Sequence, residues 1–186
     1  MAICTYNART LASEVAIEDL MMQAKKIKYD VIGLTETTRG VGGVGVLVNT
    51  RTAKNIDFFD QLTTRIGRLR MRRWGPTPAL TIFVAYAPIS SYEKEEVEAF
   101  YMDLEKFYRE DHAFYKVIIG DFNAKIGPRR TPEKLQIGTN GLQWNDQGER
   151  LSEFIMTTKT IVTRNSRSPP LYAGRGSHPA EGTVMK

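Results

Sequence analysis

Residues 79–87 (ALTIFVAYA) are apolar nearly throughout, the composition of a strand covered on both faces. A strand of this kind commits the chain to layers, because apolar material must lie both above and below it. Residues 115–120 (YKVIIG) read as a second such strand, and residues 30–34 (DVIGL) as a shorter one. Residues 40–49 (GVGGVGVLVN) form a Gly-rich lead into another, while residues 2–6 and 161–163 read as short strands. Helical periods fall between them. In residues 10–28, Leu11, Val15, Leu20, Ala24 and Ile27 share one face. Ser90 and Glu93 fit a capping box that opens a helix, with Val97, Phe100, Tyr101, Leu104, Phe107 and Tyr108 inward. Residues 147–158 turn Leu151, Phe154 and Ile155 inward. Strands alternating with helices give an α/β or α+β class in which helices flank sheets.

At 186 residues the chain fits one domain with a real core. The foldable part is expected over residues 1–163. Residues 164–186, rich in Pro, Gly, Ser and Arg and without periodicity, are expected to form an irregular tail. A single cysteine, Cys4, permits no internal disulfide, and no apolar stretch is long enough to span a membrane. Asn7 and Arg9 interrupt any signal-peptide core. An intracellular protein, nuclear or cytoplasmic and monomeric by default, is the expectation.

The net charge is +5, and residues 51–73 carry an excess of the same size. Within them Arg68, Arg70 and Arg72 alternate with Leu69 and Met71, the period of a half-buried strand with a cationic outer face. Such a stripe suits a phosphate backbone, and it equally suits a plain solvated face. Eight acidic residues at positions 93–111 are read as the solvent face of the helix there.

Four strand ends carry isolated polar groups. They are Asn7 after AICTY, Glu36 after VIGLT, Tyr86 within VAYAP, and Asp121 with Asn123 after VIIG. Each has a structural account: Asn7 a turn cap, Glu36 a surface carboxylate, Tyr86 a core ring with a satisfied hydroxyl, Asp121 and Asn123 an Asx turn. As a set they suggest more, because sites gather at one edge of layered α/β sheets. Glu36 and Asn7 are hard oxygen donors of the type Mg²⁺ takes. Asp121 and Asn123, two residues apart, can both enter one pocket if Phe122 points away.

GDFNAKIG resembles the Gly-Asp-apolar-Asn-Ala signature of the endonuclease/exonuclease/phosphatase superfamily. The order of Asn7, the GLTET strand, AYAP and GDFNA resembles that superfamily as well. TYNARTL, GVGVLVN, GDFNAKIG and NDQGERLSEF together look like the endonuclease of RTE-type non-LTR retrotransposons and their domesticated relatives. The likeness implies a four-layered α/β sandwich and metal-assisted phosphodiester hydrolysis with Mg²⁺ or Mn²⁺. It implies that Glu36, assisted by Asn7, holds the metal, that Asp121 orients or activates water, and that Asn123 and Tyr86 hold the scissile phosphate. DNA is the implied partner, with Arg68, Arg70 and Arg72 as its expected contacts.

The chain departs from that pattern in three places. It has no carboxy-terminal Ser-Asp-His element; His112 reads as a surface histidine at a helix end, and His178 in GSHPAEG has no Asp before it. Between Thr38 and Arg39 relatives insert a hairpin. The tail after Arg164 does not follow the family. These gaps fit a truncated, internally deleted copy of such a domain, incomplete at its carboxy terminus and of weak or lost activity. A catalytically dead nucleic-acid- or protein-binding remnant, or a phosphoesterase acting on small molecules, are the competing expectations.

Overall fold

The computed structural model describes residues 1–8, 14–35, 43–73, 75, 78–89, 93–126, 144–160, 162–164 and 183–185. Glu36, Leu11, Ser90, the junction of Thr38 with Arg39, and His178 lie outside them.

Two sheets face each other. The smaller joins β1 (Ile3–Asn7), β2 (Val31–Thr35) and β3 (Val44–Val48) in that order, with β1 and β2 parallel and β3 antiparallel to β2. The larger contains β4 (Ile56–Gln61), β5 (Ile66–Met71), β6 (Leu80–Tyr86), β7 (Tyr115–Asp121), β8 (Val162–Arg164) and β9 (Thr183–Met185), in the order β4-β5-β6-β7-β9-β8. The β6–β7 pair is parallel, and α3 (Lys94–Glu110) connects the two strands. The remaining helices are α1 (Glu14–Ile27), the short α2 (Thr50–Ala53) and α4 (Asp146–Thr158).

The pleat of β6 explains its composition. Phe83 and Ala85 face outward into a cluster with Phe100, Leu104, Leu151 and Ile155 of α3 and α4. Ile82, Val84 and Tyr86 face the other way, into a cluster with Val31, Val44 and Ile119 between the sheets. Both sides of the strand are therefore covered, as residues 79–87 require. On the far side of the small sheet Ala24 and Ile27 of α1 pack over Cys4 and Ile32. Helix, sheet, sheet and helices make four layers. Among the described residues no helix is long and apolar enough to cross a membrane.

Several expectations from the residue pattern change. Val15 is 68% exposed, because only the later turns of α1, with Leu20 and Ala24 buried, reach the small sheet. Helix α3 starts at Lys94 with Glu93 as its N-cap and no side-chain capping bond from it; the expected partner Ser90 lies outside the described residues. Glu95 and Glu96 in the first turn favour this end through the helix dipole. Strand β4 is not announced by the residue pattern. Within the segment expected to be irregular, Arg164 ends β8, and Thr183–Met185 form β9 between β7 and β8. β-branched Thr183 and Val184 suit a strand, and the edge of β7 offers unpaired backbone groups for it to complete.

Candidate active site

Asn7, Thr35, Tyr86 and Asp121 are the last residues of β1, β2, β6 and β7. Side chains alternate along a strand, so residues two or four apart share a face. Ile3 and Val31 lie in the inter-sheet core, which puts Asn7 and Thr35 on the inter-sheet side. Val84 and Ile119 lie there too, which puts Tyr86 and Asp121 on the same side. Parallel pairing aligns Asn7 with Thr35 and Tyr86 with Asp121. Val44, the partner of Thr35, packs against Gly67 of β5, where an added Cβ would sit 3.1 Å from Val44 Cγ2. Gly67 is two residues from Arg65, whose carbonyl accepts the Tyr86 N–H at 2.9 Å. The two sets of strand ends thus meet at one edge of the sandwich.

Beyond β7 the chain curls back on itself. Asp121 Oδ1 accepts the backbone N–H of Asn123 at 3.0 Å, an Asx turn, and Asn123 adopts the left-handed region at φ 51°. Its Nδ2 donates to the Ala87 carbonyl at 2.9 Å, while the Ala87 N–H donates to the Asp121 carbonyl at 2.9 Å. Phe122 is buried in the outer core and so points away from both. The Asx turn of the structural account is present, and it places Asn123 back beside β6. Glu36 follows Thr35 directly in the chain but lies outside the described residues.

Two residues at this edge carry no expected role from sequence. Arg65 is odd-numbered like Leu69 and Met71, which face the inter-sheet core, and its guanidinium lies over the Tyr86 ring at 5.5 Å. Asn145, in the NDQGER run, caps α4 by accepting from Gly148 N–H at 2.8 Å. Its amide also donates to the Asn123 carbonyl at 3.0 Å and accepts from Lys125 N–H at 2.8 Å.

The arginines of the basic stripe lie on β5 and just beyond it. Arg68 and Arg70 lie on the opposite face of β5 from Leu69, toward the helix layer, and both have carboxylate partners. Arg68 pairs with Asp60 at 2.8 Å and stacks over Phe58 at 5.2 Å. Arg70 pairs with Asp111 at 3.2 Å, and Arg72 with Asp57 at 3.2 Å. Asp111 is not on the solvent face of its helix. It is 4% exposed and also accepts from Thr81 Oγ1 and from Ala113 N–H. Of these three pairs only Arg70–Asp111 has a buried carboxylate, since the side chains of Asp60 and Asp57 reach solvent, and Arg68 and Arg70 face away from the Tyr86–Asp121 side of the sheet. Replacing Arg70 by Met is expected to cost on the order of 2 kcal/mol, because it strips a buried carboxylate of a partner. Urea unfolding measures that cost; a stability equal to wild type would show that Asp111 does not depend on the pair.

Asn7, at the end of β1, offers an amide oxygen, a hard donor of the type Mg²⁺ or Mn²⁺ takes with water and phosphate in its shell, while its expected partner Glu36 lies outside the described residues. Among the described residues no three His, Cys, Asp or Glu side chains gather as a metal cluster. A site with a single protein carboxylate contains no such cluster. His112 is exposed just beyond α3, as expected of a surface histidine.

No protein-family model matches the chain. It is 27% identical over 193 residues to craniofacial development protein 2 of Bos taurus, covering 90% of this chain and 31% of that protein. The chain therefore spans about a third of the length of that curated relative. The endonuclease domain of TRAS1, a telomere-specific non-LTR retrotransposon, superposes with a TM-score of 0.61 at 14% identity, covering 97% of this chain and 82% of the domain. AP endonuclease LMAP from Leishmania major gives a TM-score of 0.62 at 13% identity, covering 97% of this chain and 77% of the enzyme. The fold is that of the endonuclease/exonuclease/phosphatase proteins, as the sequence motifs imply.

Proposed function

We propose that this chain is a divalent-metal-dependent phosphodiester hydrolase acting on DNA. The observation that supports it is the convergence of Asn7, Tyr86, Asp121 and Asn123 at one edge of a nuclease-type sandwich, with Tyr86 and Asp121 in direct register. Asp121 serves as the acceptor that orients or deprotonates the attacking water. Asn123 and the Tyr86 hydroxyl hold the scissile phosphate, where donors aimed at developing charge contribute most. Glu36 and Asn7 would hold Mg²⁺ or Mn²⁺, which would supply Lewis-acid stabilisation of the phosphate oxygens.

Arg65, beside Tyr86, replaces the Arg68–Arg72 stripe as the phosphate-side cation in this reading. Arg65→Ala is expected to weaken duplex binding and to lower the slope of log affinity against log salt by about one. Arg72→Ala, whose partner is Asp57, should leave that slope unchanged. Equal slopes for wild type and Arg65→Ala would remove Arg65 from the contact surface.

The pairing of the stripe also favours a second reading, a phosphoesterase for small substrates, since the stripe is the sequence feature that points to DNA rather than a small ester. Nicking of supercoiled plasmid by purified protein with Mg²⁺, against EDTA and an Asp121→Ala control, tests the first reading. Hydrolysis of bis-p-nitrophenyl phosphate without nicking would support the second. Neither reaction, with DNA binding retained, would leave a binding module.

A further inference from the structure

We propose that Asn145 is a positioning residue that holds Asn123 in its working conformation, over and above capping α4. The tether deepens the hydrolase reading, and its functional half rests on that reading. Asn145 uses three of its four side-chain hydrogen-bonding directions at one junction. Its Oδ1 receives the N–H groups of Gly148 and Lys125, both at 2.8 Å, and its Nδ2 reaches the Asn123 carbonyl at 3.0 Å. The Asn145 backbone N–H donates to the Lys125 carbonyl at 3.3 Å.

The junction leaves no room for slack. A Cβ on Gly148 would lie 2.1 Å from the Lys125 carbonyl oxygen, so the first turn of α4 presses directly on the loop that carries Asn123. Asn123 in turn sits at φ 51°, in the left-handed region that asparagine tolerates better than other side chains, and three bonds hold it there. Asp121 holds its N–H, Ala87 receives its side chain, and Asn145 holds its carbonyl. Only the last of these comes from outside the β6–β7 strand ends. Asn145 therefore fixes the loop to α4, which is anchored in the core through Leu151 and Ile155.

A cap needs only an acceptor, whereas the tether needs a donor. Asn145→Asp separates the two, because aspartate caps helices as well as asparagine but cannot donate when ionised. Its carboxylate would also face the Asn123 carbonyl and repel it. Asn145→Ala removes both functions.

The experiment is amide hydrogen exchange by NMR on the full chain, together with thermal melting and plasmid nicking. For Asn145→Asp, α4 amides and the melting temperature are expected to stay as in wild type. Exchange at the Asn123 side-chain amide should rise about 5- to 10-fold, the effect of one lost hydrogen bond, while the Lys125 N–H, whose acceptor aspartate keeps, stays protected. Nicking should fall about 10²-fold with DNA affinity unchanged, as expected of misplacement near the chemistry. Asn145→Ala should lose both the protection of the first turn of α4 and that of Asn123. Unchanged exchange at Asn123 in Asn145→Asp would overturn the tether, as would wild-type nicking by that variant. Loss of α4 protection in Asn145→Asp would do so too, by reducing Asn145 to a cap. If wild type itself does not nick, the reading as a hydrolase of DNA falls, and the exchange data alone uphold or overturn the tether.

Discussion

Gly120→Ala is expected to cost about 4 kcal/mol or more, beyond the range of an ordinary single substitution. Gly120 sits at φ 155°, where L side chains are strained, directly opposite Ala85 in the parallel β6–β7 pair. An added Cβ would lie 1.8 Å from the Ala85 carbonyl oxygen, 2.7 Å from its carbon and 3.0 Å from its nitrogen. All three are backbone atoms of a strand buried on both faces, so nothing can rotate aside. The two strands would have to separate immediately before Tyr86 and Asp121, in the middle of the larger sheet. Against a total stability of about 5–15 kcal/mol this leaves a partly folded or insoluble protein. Chemical denaturation of any soluble fraction gives the measure. A midpoint close to wild type would mean that β7 relaxes at Gly120 at little cost, and the registration of Tyr86 with Asp121 would then be weaker than the geometry suggests.

That glycine also shows where the sequence is legible. VIIGDFN reads as a buried strand that ends in polar groups, and the structure explains why the glycine stands between them: the backbone needs the space. Apolar runs such as residues 79–87 and the Val97–Leu104 helix face are local signals, and they place β6, β7, α3 and α4 correctly. Polar residues closing those runs mark the site edge, because a strand end is a position along one chain. The face of a strand is not. Arg65 and Arg68 differ by an odd number of residues, so the pleat sends them to opposite sides, and only the partner strands decide which side holds the site. Asp111 is lost among seven other acidic residues in its segment until β5 supplies Arg70. Asn145 lies 22 residues from Asn123, too far for any periodicity to connect them. β9 is three residues long, with no turn or helix signal to flag it. What sequence conceals here is pairing across distance.

Asp121→Asn is expected to lower nicking about 10²- to 10³-fold while leaving the fold and DNA affinity close to wild type. An asparagine at this position keeps an oxygen that can accept the Asn123 N–H, so the turn now closed at 3.0 Å can persist. The change removes the negative charge and the proton acceptor and little else. If Asp121 orients or deprotonates the attacking water, the loss falls on turnover, within the range general-base removal usually shows. Asp121→Ala is expected to be worse in a different way. It also deletes the acceptor that helps hold Asn123 at φ 51°, so the loop is freed from one side as well as the base being lost. The gap between the two variants then measures how much of the effect is position rather than chemistry. Amide exchange at Asn123 provides the control: it should stay slow in Asp121→Asn and quicken in Asp121→Ala. Steady-state nicking under saturating DNA separates kcat from KM. A wild-type kcat for Asp121→Asn would sink the assignment of Asp121 as the group that acts on water, and the Asx turn alone would then account for the residue.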